Sequence, residues 1–207
     1  MSNIDILDLG IKDYKETLEK QYELIEKVYK KEINNTLIFV EHPHVITLGR
    51  KAKVENILDK TLPIYNIERG GDVTYHGFGQ LVGYPIFDYN SEKDIGKFLR
   101  NLEQVIIDTL EQYNIKALRK EKHTGVWLQY NSSEINKKIA SIGISFKNWI
   151  SYHGFALNVS TDLSYFFKIN PCGLESQIMT NMEQILDKSI DINDVKEYIY
   201  KNFLKYF

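Results

Sequence analysis

The segment KIASIGISFKNWISYHGFALNV, residues 138–159, predicts a β-hairpin within a larger sheet. Two runs of apolar and β-branched residues, Lys138–Phe146 and Tyr152–Val159, are separated by a short polar stretch. Lys147-Asn148 in that stretch suits a tight turn between antiparallel strands. A further strand is predicted just before the hairpin, at Gly125–Tyr130.

Helical periodicity lies on both sides of this strand region. Helices are predicted to begin at Asp13, at the Ser91–Asp94 capping pattern and at Asp191. Strands are also predicted at Thr36–Glu41 and Val45–Leu48, joined by a turn. The inward faces of the helices would carry Leu18, Tyr22, Ile25 and Tyr29; Ile95, Phe98, Leu102, Val105, Ile106 and Leu110; and Val195, Ile199, Phe203 and Leu204. We therefore expect an α+β fold, a mixed β-sheet flanked by helices, in one domain spanning residues 1–207.

The composition and net charge exclude several classes of protein. A net charge of −2 provides no basic field for a nucleic-acid backbone. No apolar run is long enough to cross a bilayer, and the first ten residues do not resemble a secretory signal. A single cysteine excludes an internal disulfide and a cysteine-rich zinc site. We expect a cytoplasmic protein with no metal, no cofactor, no nucleic-acid partner and no membrane association.

A glycine-rich segment, ERGGDVTYHGFGQLVGYPI, occupies residues 68–86. Glycine lets a ligand approach the backbone closely, and such a loop offers N–H groups to an anion or a carbonyl oxygen. A tight turn between two strands would need the same residues, so both interpretations stay open. The segment lacks the Gly-Lys-Ser/Thr of a phosphate-binding P-loop and the Gly-x-Gly-x-x-Gly of a dinucleotide site.

Two residues could carry nucleophilic chemistry. Cys172 lies between proline and glycine at a bend, where a side chain is presented rather than hidden. An ordinary thiol, with a pKa of about 8.5, is only a few per cent thiolate at neutral pH and needs an activating neighbour. Lys138 and the histidines are the candidates. Strand alternation places Lys138 on a face with small and apolar residues. Inert packing of the cysteine and a solvated start of the lysine strand are the alternatives.

Histidines supply two weaker signals. His153 opens the sequence HGFALNV, whose small residues would leave room for an apolar ligand or allow close strand packing. His42 and His44 have a spacing found in some metal sites, but no third ligand is evident, and turn residues are the simpler interpretation.

In this order, the segments resemble the lipoyl(octanoyl) transferases. That family carries an Arg-Gly-Gly-x-x-Thr-aromatic-His-Gly loop, matched by Arg69–Gly77, and a Lys-Ile-Ala-Ser-x-Gly strand, matched by Lys138–Gly143. It also carries a His-Gly-x-Ala-x-Asn-Val strand, matched by His153–Val159, and an Asn-Pro-Cys-Gly turn, matched by Asn170–Gly173. Four such elements in register are a specific signal, whereas each one alone is weak.

The sequence departs from the family pattern at two positions. The family commonly has proline where this chain has Phe78, between two glycines, and a second proline where it has His44. These departures concern the shape of the pocket and the rigidity of its loop rather than the reacting groups.

The resemblance implies a function and a fold. Octanoyl (or lipoyl) is taken from its thioester on acyl carrier protein and passed to a specific lysine of a lipoyl domain, in 2-oxoacid dehydrogenases or the glycine cleavage H protein. The fold would be that of biotin and lipoate ligases. Cys172 would hold the acyl group as a thioester, Lys138 would assist by proton transfer, and no ATP would be needed. The implied substrate-binding residues are Arg69, Gly70, Gly71, Asp72, Val73, Thr74, Tyr75, His76, Ser141, Ile142, Gly143, Gly154, Phe155 and Ala156.

Two rival functions remain open at this point. An ATP-dependent lipoate or biotin ligase would share the fold and a lysine but needs no cysteine. A non-catalytic acyl- or partner-binding module would need neither Cys172 nor Lys138.

Overall fold

The computed structural model describes residues 3–129 and 136–207. Its strands are β1 (Ile4–Ile11), β2 (Asn35–Glu41), β3 (Val45–Leu48), β4 (Ile64–Asn66), β5 (Val73–His76), β6 (Gln80–Ile86), β7 (Ala117–Lys120), β8 (His123–Gln129), β9 (Asn136–Lys147) and β10 (Ile150–Asn158). Its α-helices are α1 (Tyr14–Tyr29), α2 (Ile95–Glu111), α3 (Met182–Leu186) and α4 (Ile192–Tyr206). None of these helices is long and apolar enough to cross a membrane.

The strands form two sheets. The larger has the order β1-β2-β6-β10-β9-β8-β7, in which only the β1–β2 pair is parallel. The smaller has the order β4-β3-β5, with β4 parallel and β5 antiparallel to β3. The prediction of a mixed sheet flanked by helices is confirmed.

An apolar cluster is buried on each face of the large sheet, and different helices cover the two faces. One cluster joins Phe155 and Leu157 of β10 to Phe98 of α2 and Phe203 of α4. The cluster on the other face packs α1 against β2, β6 and β10. A third cluster lies between the small sheet and the segment that leads to residue 179. The candidate active site lies on the sheet surface between α1 and the small sheet.

The predicted hairpin exists, with its turn one residue later than expected. Strands β9 and β10 pair from Ile150 opposite Lys147 onward, and the turn residues are Asn148 and Trp149. Both have positive φ, 52° and 63°, as a two-residue turn matched to strand twist requires. The predicted end of the preceding strand, Tyr130, lies outside the described residues.

Other predictions need correction. Helix α1 buries Tyr14, Thr17, Gln21, Leu24, Ile25 and Val28, so the expected inward positions of Tyr22 and Tyr29 were wrong. Helix α2 begins at Ile95 behind an Asp94 cap, not at Ser91, and Ile95 is exposed. Leu204 of α4 is also exposed. Strands β2 and β3 exist but belong to different sheets.

Candidate active site

A cavity with about 470 Å³ of space, its open mouth included, lies between the large sheet and the segment that ends in β5. Four segments far apart in sequence converge on it. Of the predicted site residues, those that line it are Arg69, Gly71, Thr74, His76, Lys138, Ser141, Ile142, Gly143, Gly154, Phe155 and Ala156. Tyr14, Tyr84 and His153 also line it, and the sequence did not mark them as pocket residues.

Glycines allow the loop to lie directly on the sheet. A Cβ at Gly143 would sit 2.8 Å from the carbonyl oxygen of Gly70 and 3.0 Å from Arg69 Cδ. The Gly70 N–H donates to Ile144 O at 3.0 Å, which ties the loop to β9. At Gly154 a Cβ would meet the carbonyl oxygen of Gly83 at 2.0 Å, so strand packing alone requires that glycine.

Alternation along β5 places the side chains of the predicted loop residues on two opposite faces. Thr74 and His76 face the cavity, whereas Val73 and Tyr75 lie in the apolar cluster of the small sheet. Val73 and Tyr75, which were expected in the substrate pocket, therefore do not line this cavity. Gly70 and Asp72 line a neighbouring groove instead of the cavity. The side chain of Asp72 accepts hydrogen bonds from the backbone of Lys53 and Val73 and from Asn56, which fixes the loop.

Arg69 braces the loop from inside. Its Nη2 donates to Thr47 O at 2.8 Å and its Nη1 donates to Gly70 O at 2.9 Å. The residue is 8 % exposed. This geometry holds the glycine loop against β3, so the arginine shapes the cavity as well as lining it.

Lys138 is buried at one end of the cavity, with 2 % of its surface exposed. Its Nζ lies 5.3 Å from the centroid of the Trp127 ring, a cation–π contact. Its aliphatic end rests on Gly125, where a Cβ would lie 2.8 Å from Lys138 Cε. Its carbonyl oxygen accepts the N–H of Thr180 at 3.0 Å. The lysine is therefore held at both its backbone and its side chain.

The Asn170–Gly173 turn approaches the same region. Pro171–Gly173 forms a short 3₁₀ turn that packs against β5, and Gly173 has φ of +70°. The Asn170 N–H donates to Asn56 O at 2.8 Å. The chain that leaves this turn then pairs with β9 through Met179 opposite Lys138. The side chain of Cys172 itself lies outside what the structure describes.

A chain of hydrogen bonds links the cavity to the backbone beside the lysine. The carbonyl of Thr180 accepts from Asn158 Nδ2, so Asn158 Oδ1 must accept from Gln80 Nε2. Gln80 Oε1 then accepts from His76 Nδ1 at 2.8 Å. His76 is thus the Nδ1–H tautomer, and its Nε2 carries the lone pair.

Three buried histidines surround the cavity. Burial lowers the pKa of His76 to about 3, with neighbouring His42 adding to the effect. Burial likewise lowers the pKa of His42 to about 4. Burial, then the charge of Arg69, lowers the pKa of His153 to about 3. All three are neutral near pH 7, so none of them supplies a positive charge to stabilise a thiolate.

The histidines have distinct surroundings. His42 hydrogen-bonds with Lys12 O and with the Tyr84 hydroxyl, so it is a structural residue, as the turn interpretation predicted. His153 has φ of +55°, and its ring nitrogens have no hydrogen-bond partner among the described residues. Its N–H donates to Gln21 Oε1 at 2.8 Å, which explains why a glutamine is buried on α1.

The two departures from the family pattern meet in space. The ring centroids of His44 and Phe78 are 5.0 Å apart, edge to face, and His44 stacks on Tyr165 at 4.0 Å. His44 Nδ1 also hydrogen-bonds with the Tyr75 hydroxyl at 2.7 Å. His44 and Phe78 thus form aromatic contacts at the two positions where the family pattern has proline. These contacts join the glycine loop to the segment before the cysteine turn.

A wider groove of about 1210 Å³ opens on the other side of the Gly70–Gly71 loop. It shares Gly71, Lys138, Ile142 and Gly143 with the cavity, so the lysine stands where the two spaces meet. Its other walls include Lys51, Lys122, His123, Ile95, Leu99 and Leu174. Both spaces are partly open to solvent, and they adjoin at Lys138.

Comparison with known proteins agrees with this geometry. The sequence pattern of the lipoyl protein ligase A/B catalytic domain matches residues 13–204. The chain belongs to that family. The octanoyltransferase of Christiangramia forsetii is 40 % identical, over 99 % of this chain and 95 % of its own length. Similarity to octanoyltransferases over nearly the whole chain identifies this family member as an acyltransferase, as the sequence motifs predicted.

Solved structures show the shared fold at low sequence identity. A bipartite lipoate protein ligase of Thermoplasma acidophilum superposes with a TM-score of 0.75 at 16 % identity, covering 100 % of this chain and 84 % of that one. The biotin protein ligase of Aquifex aeolicus gives 0.57 at 13 % identity, covering 100 % and 69 %. The expected fold relationship to lipoate and biotin ligases is therefore confirmed.

Proposed function

We propose that this family member transfers an octanoyl group from acyl carrier protein to a lysine of a lipoyl domain, through a thioester on Cys172. The observation that carries the proposal is the position of Lys138. It is buried where the cavity meets the groove, and its backbone is hydrogen-bonded to the segment that follows the cysteine turn.

The first step forms the acyl-enzyme. The Cys172 thiolate attacks the thioester carbonyl, a new C–S bond forms, and the donor thiolate leaves. Lys138 takes the cysteine proton and returns it to the departing thiol. The histidines that line the cavity have pKa values of about 3, too low to hold a thiol proton near neutral pH, and the guanidinium of Arg69 is already protonated and does not give up its proton. Among the described residues lining the cavity, Lys138 is thus the amine suited to this role.

The second step consumes the acyl-enzyme. The lysine amine of the lipoyl domain attacks the Cys172 thioester, the amide forms, and the cysteine thiolate leaves. Lys138 accepts the proton that the attacking amine loses and passes it to this thiolate. Exchange of thioesters is near balance, and amide formation from a thioester is downhill. The reaction therefore needs no nucleotide.

The walls of the cavity support an apolar acyl group. Ile142, Phe155 and Ala156 supply apolar contact, and Gly143 keeps the channel open beside the loop. Backbone N–H groups of the glycine loop are candidate donors to the carbonyl oxygen as negative charge develops on it. The groove gives the donor arm and the acceptor lysine access to the reactive end.

The proposed setting follows from these substrates. The donor is octanoyl-acyl carrier protein, and the acceptors are lipoyl domains of 2-oxoacid dehydrogenases and the glycine cleavage H protein. We place the reaction in the cytoplasm, and we treat residues 1–207 as one catalytic domain.

Transfer to an apo lipoyl domain tests the proposal against the ATP-dependent ligase function. Octanoyl-acyl carrier protein should acylate the domain without nucleotide, as seen by a gain of one octanoyl group in intact mass. Free octanoate with ATP should give no product. Use of octanoate with ATP, and not of the thioester, would establish ligase chemistry instead.

A further inference from the structure

Glu103 is a buried carboxylate that the steps above do not use. It lies on the inward face of α2 and is 1 % exposed. Arg100 Nη1 donates to its Oε2 at 2.6 Å, and Arg119 Nε donates to the same oxygen at 3.2 Å. Its other oxygen, Oε1, accepts the backbone N–H of Gly125 at 3.1 Å. A buried carboxylate is costly unless each oxygen is paired in this way, so this anchor is specific to its position.

Gly125 lies directly beneath the side chain of Lys138. Its φ is +129°, and a Cβ there would meet Ala140 O at 2.6 Å, Lys138 Cε at 2.8 Å and Lys138 Nζ at 3.4 Å. The β8–β9 pairing shifts beside this glycine: Val126 is opposite Ala140 and Trp127 is opposite Lys138, so β9 carries one extra residue there, a bulge next to Lys138. The lysine therefore has the backbone of Gly125 on one side and the Trp127 ring on the other.

We infer that Glu103 is a positioning residue for Lys138. Its carboxylate holds the Gly125 N–H, this contact fixes the backbone of β8 against the β9 bulge, and that backbone sets where the end of the Lys138 side chain lies. The two arginines orient the carboxylate through their hydrogen bonds to Oε2. The inference rests on the proposed function, because it acts through the proton-transfer role of Lys138.

The Glu103→Gln variant tests this inference. Glutamine keeps the volume but has one acceptor oxygen, which Gly125 and the two arginines must then compete for. Misplacing a reacting group by about 1 Å costs up to about a hundredfold in rate. We expect kcat for octanoyl transfer to fall by about tenfold or more, with the KM for octanoyl-acyl carrier protein little changed. Because Cys172 is the only cysteine, iodoacetamide alkylation reports its thiolate directly, and its pH midpoint should rise.

Asp108→Asn is the matched control on the same helix. Asp108 also has ion-pair and hydrogen-bond partners, Lys205, Tyr206 and Gln104, but no recorded contact with Gly125. This variant should keep wild-type kcat and the wild-type alkylation midpoint. Equal losses in both variants would mean that α2 is merely destabilised and would overturn the inference.

The Lys138→Ala background separates the two claims. If Glu103 acts through the lysine, Glu103→Gln should leave the alkylation midpoint of Lys138→Ala unchanged. An equal shift in both backgrounds would refute the positioning role while leaving the proposed function intact. Wild-type transfer by Lys138→Ala alone would instead refute the proton-transfer role that the proposed mechanism gives to Lys138, and the inference with it.

Discussion

Replacing Ala156 with valine should shorten the acyl chain that the enzyme prefers. Ala156 lies on β10 opposite Ser141 of β9 and Val82 of β6, and it lines the cavity. Valine adds two carbons, which would occupy the space of about two methylenes of the substrate. At about 0.8 kcal/mol for each buried methylene, octanoyl loses about 1.6 kcal/mol, roughly fifteenfold in kcat/KM. Hexanoyl, two carbons shorter, should be almost unaffected.

Competition measures this change directly. Octanoyl and hexanoyl thioesters compete in one reaction, and intact mass of the lipoyl domain gives the product ratio. Ala140→Val is the control, because Ala140 is buried in the cluster on the opposite face of the same sheet. Overpacking there costs stability, about 1–3 kcal/mol, and should leave the ratio unchanged. A folded Ala156→Val protein with the wild-type ratio would show that the acyl chain does not lie over Ala156.

Two further predictions concern ionisation. Between pH 7 and 5 the unfolded chain binds protons that buried His42, His76 and His153 do not, so the free energy of unfolding should fall as pH falls, by up to about 1 kcal/mol per pH unit for each histidine. Urea unfolding at the two pH values tests this, and equal stability would contradict neutral, buried rings. Lys138→Ala should move alkylation of Cys172 to higher pH, and Lys138→Arg should partly restore the midpoint without restoring transfer. An unchanged midpoint in Lys138→Ala would mean that the lysine does not act on the thiol.

Strand patterns gave reliable predictions where the pairing is local. The β9–β10 hairpin was predicted because its strands are adjacent in sequence. Strand β1 was not predicted, since its parallel pairing with β2 crosses the whole of α1. The inward face of α1 was misjudged for a related reason. Gln21 is buried because it binds the backbone of His153, a contact that helical periodicity does not contain.

The motifs predicted which segments line the site, but not which way each side chain faces. Arg69, Ser141 and Gly154 do meet at one cavity. The loop motif did not show that alternation in β5 turns Tyr75 away from that cavity. Tyr84 joins the lining through the packing of sheet and helix, which no local pattern records.

The Glu103 contact illustrates what sequence cannot supply. From the sequence, a glutamate on an amphipathic helix is expected at the surface. No residue near Glu103 in the sequence predicts its contact with Gly125, twenty-two positions away. The bulge of β9 that places Lys138 over Gly125 is a register shift between two strands. Only the assembled fold shows why a charge is buried there.

The acyl-enzyme is the most direct test of the whole account. Wild-type protein incubated with octanoyl-acyl carrier protein and no acceptor should gain the mass of one octanoyl group, located on Cys172 and removed by hydroxylamine. Cys172→Ala should gain none and should not acylate the lipoyl domain. Transfer by Cys172→Ala at the wild-type rate would contradict covalent catalysis by this cysteine.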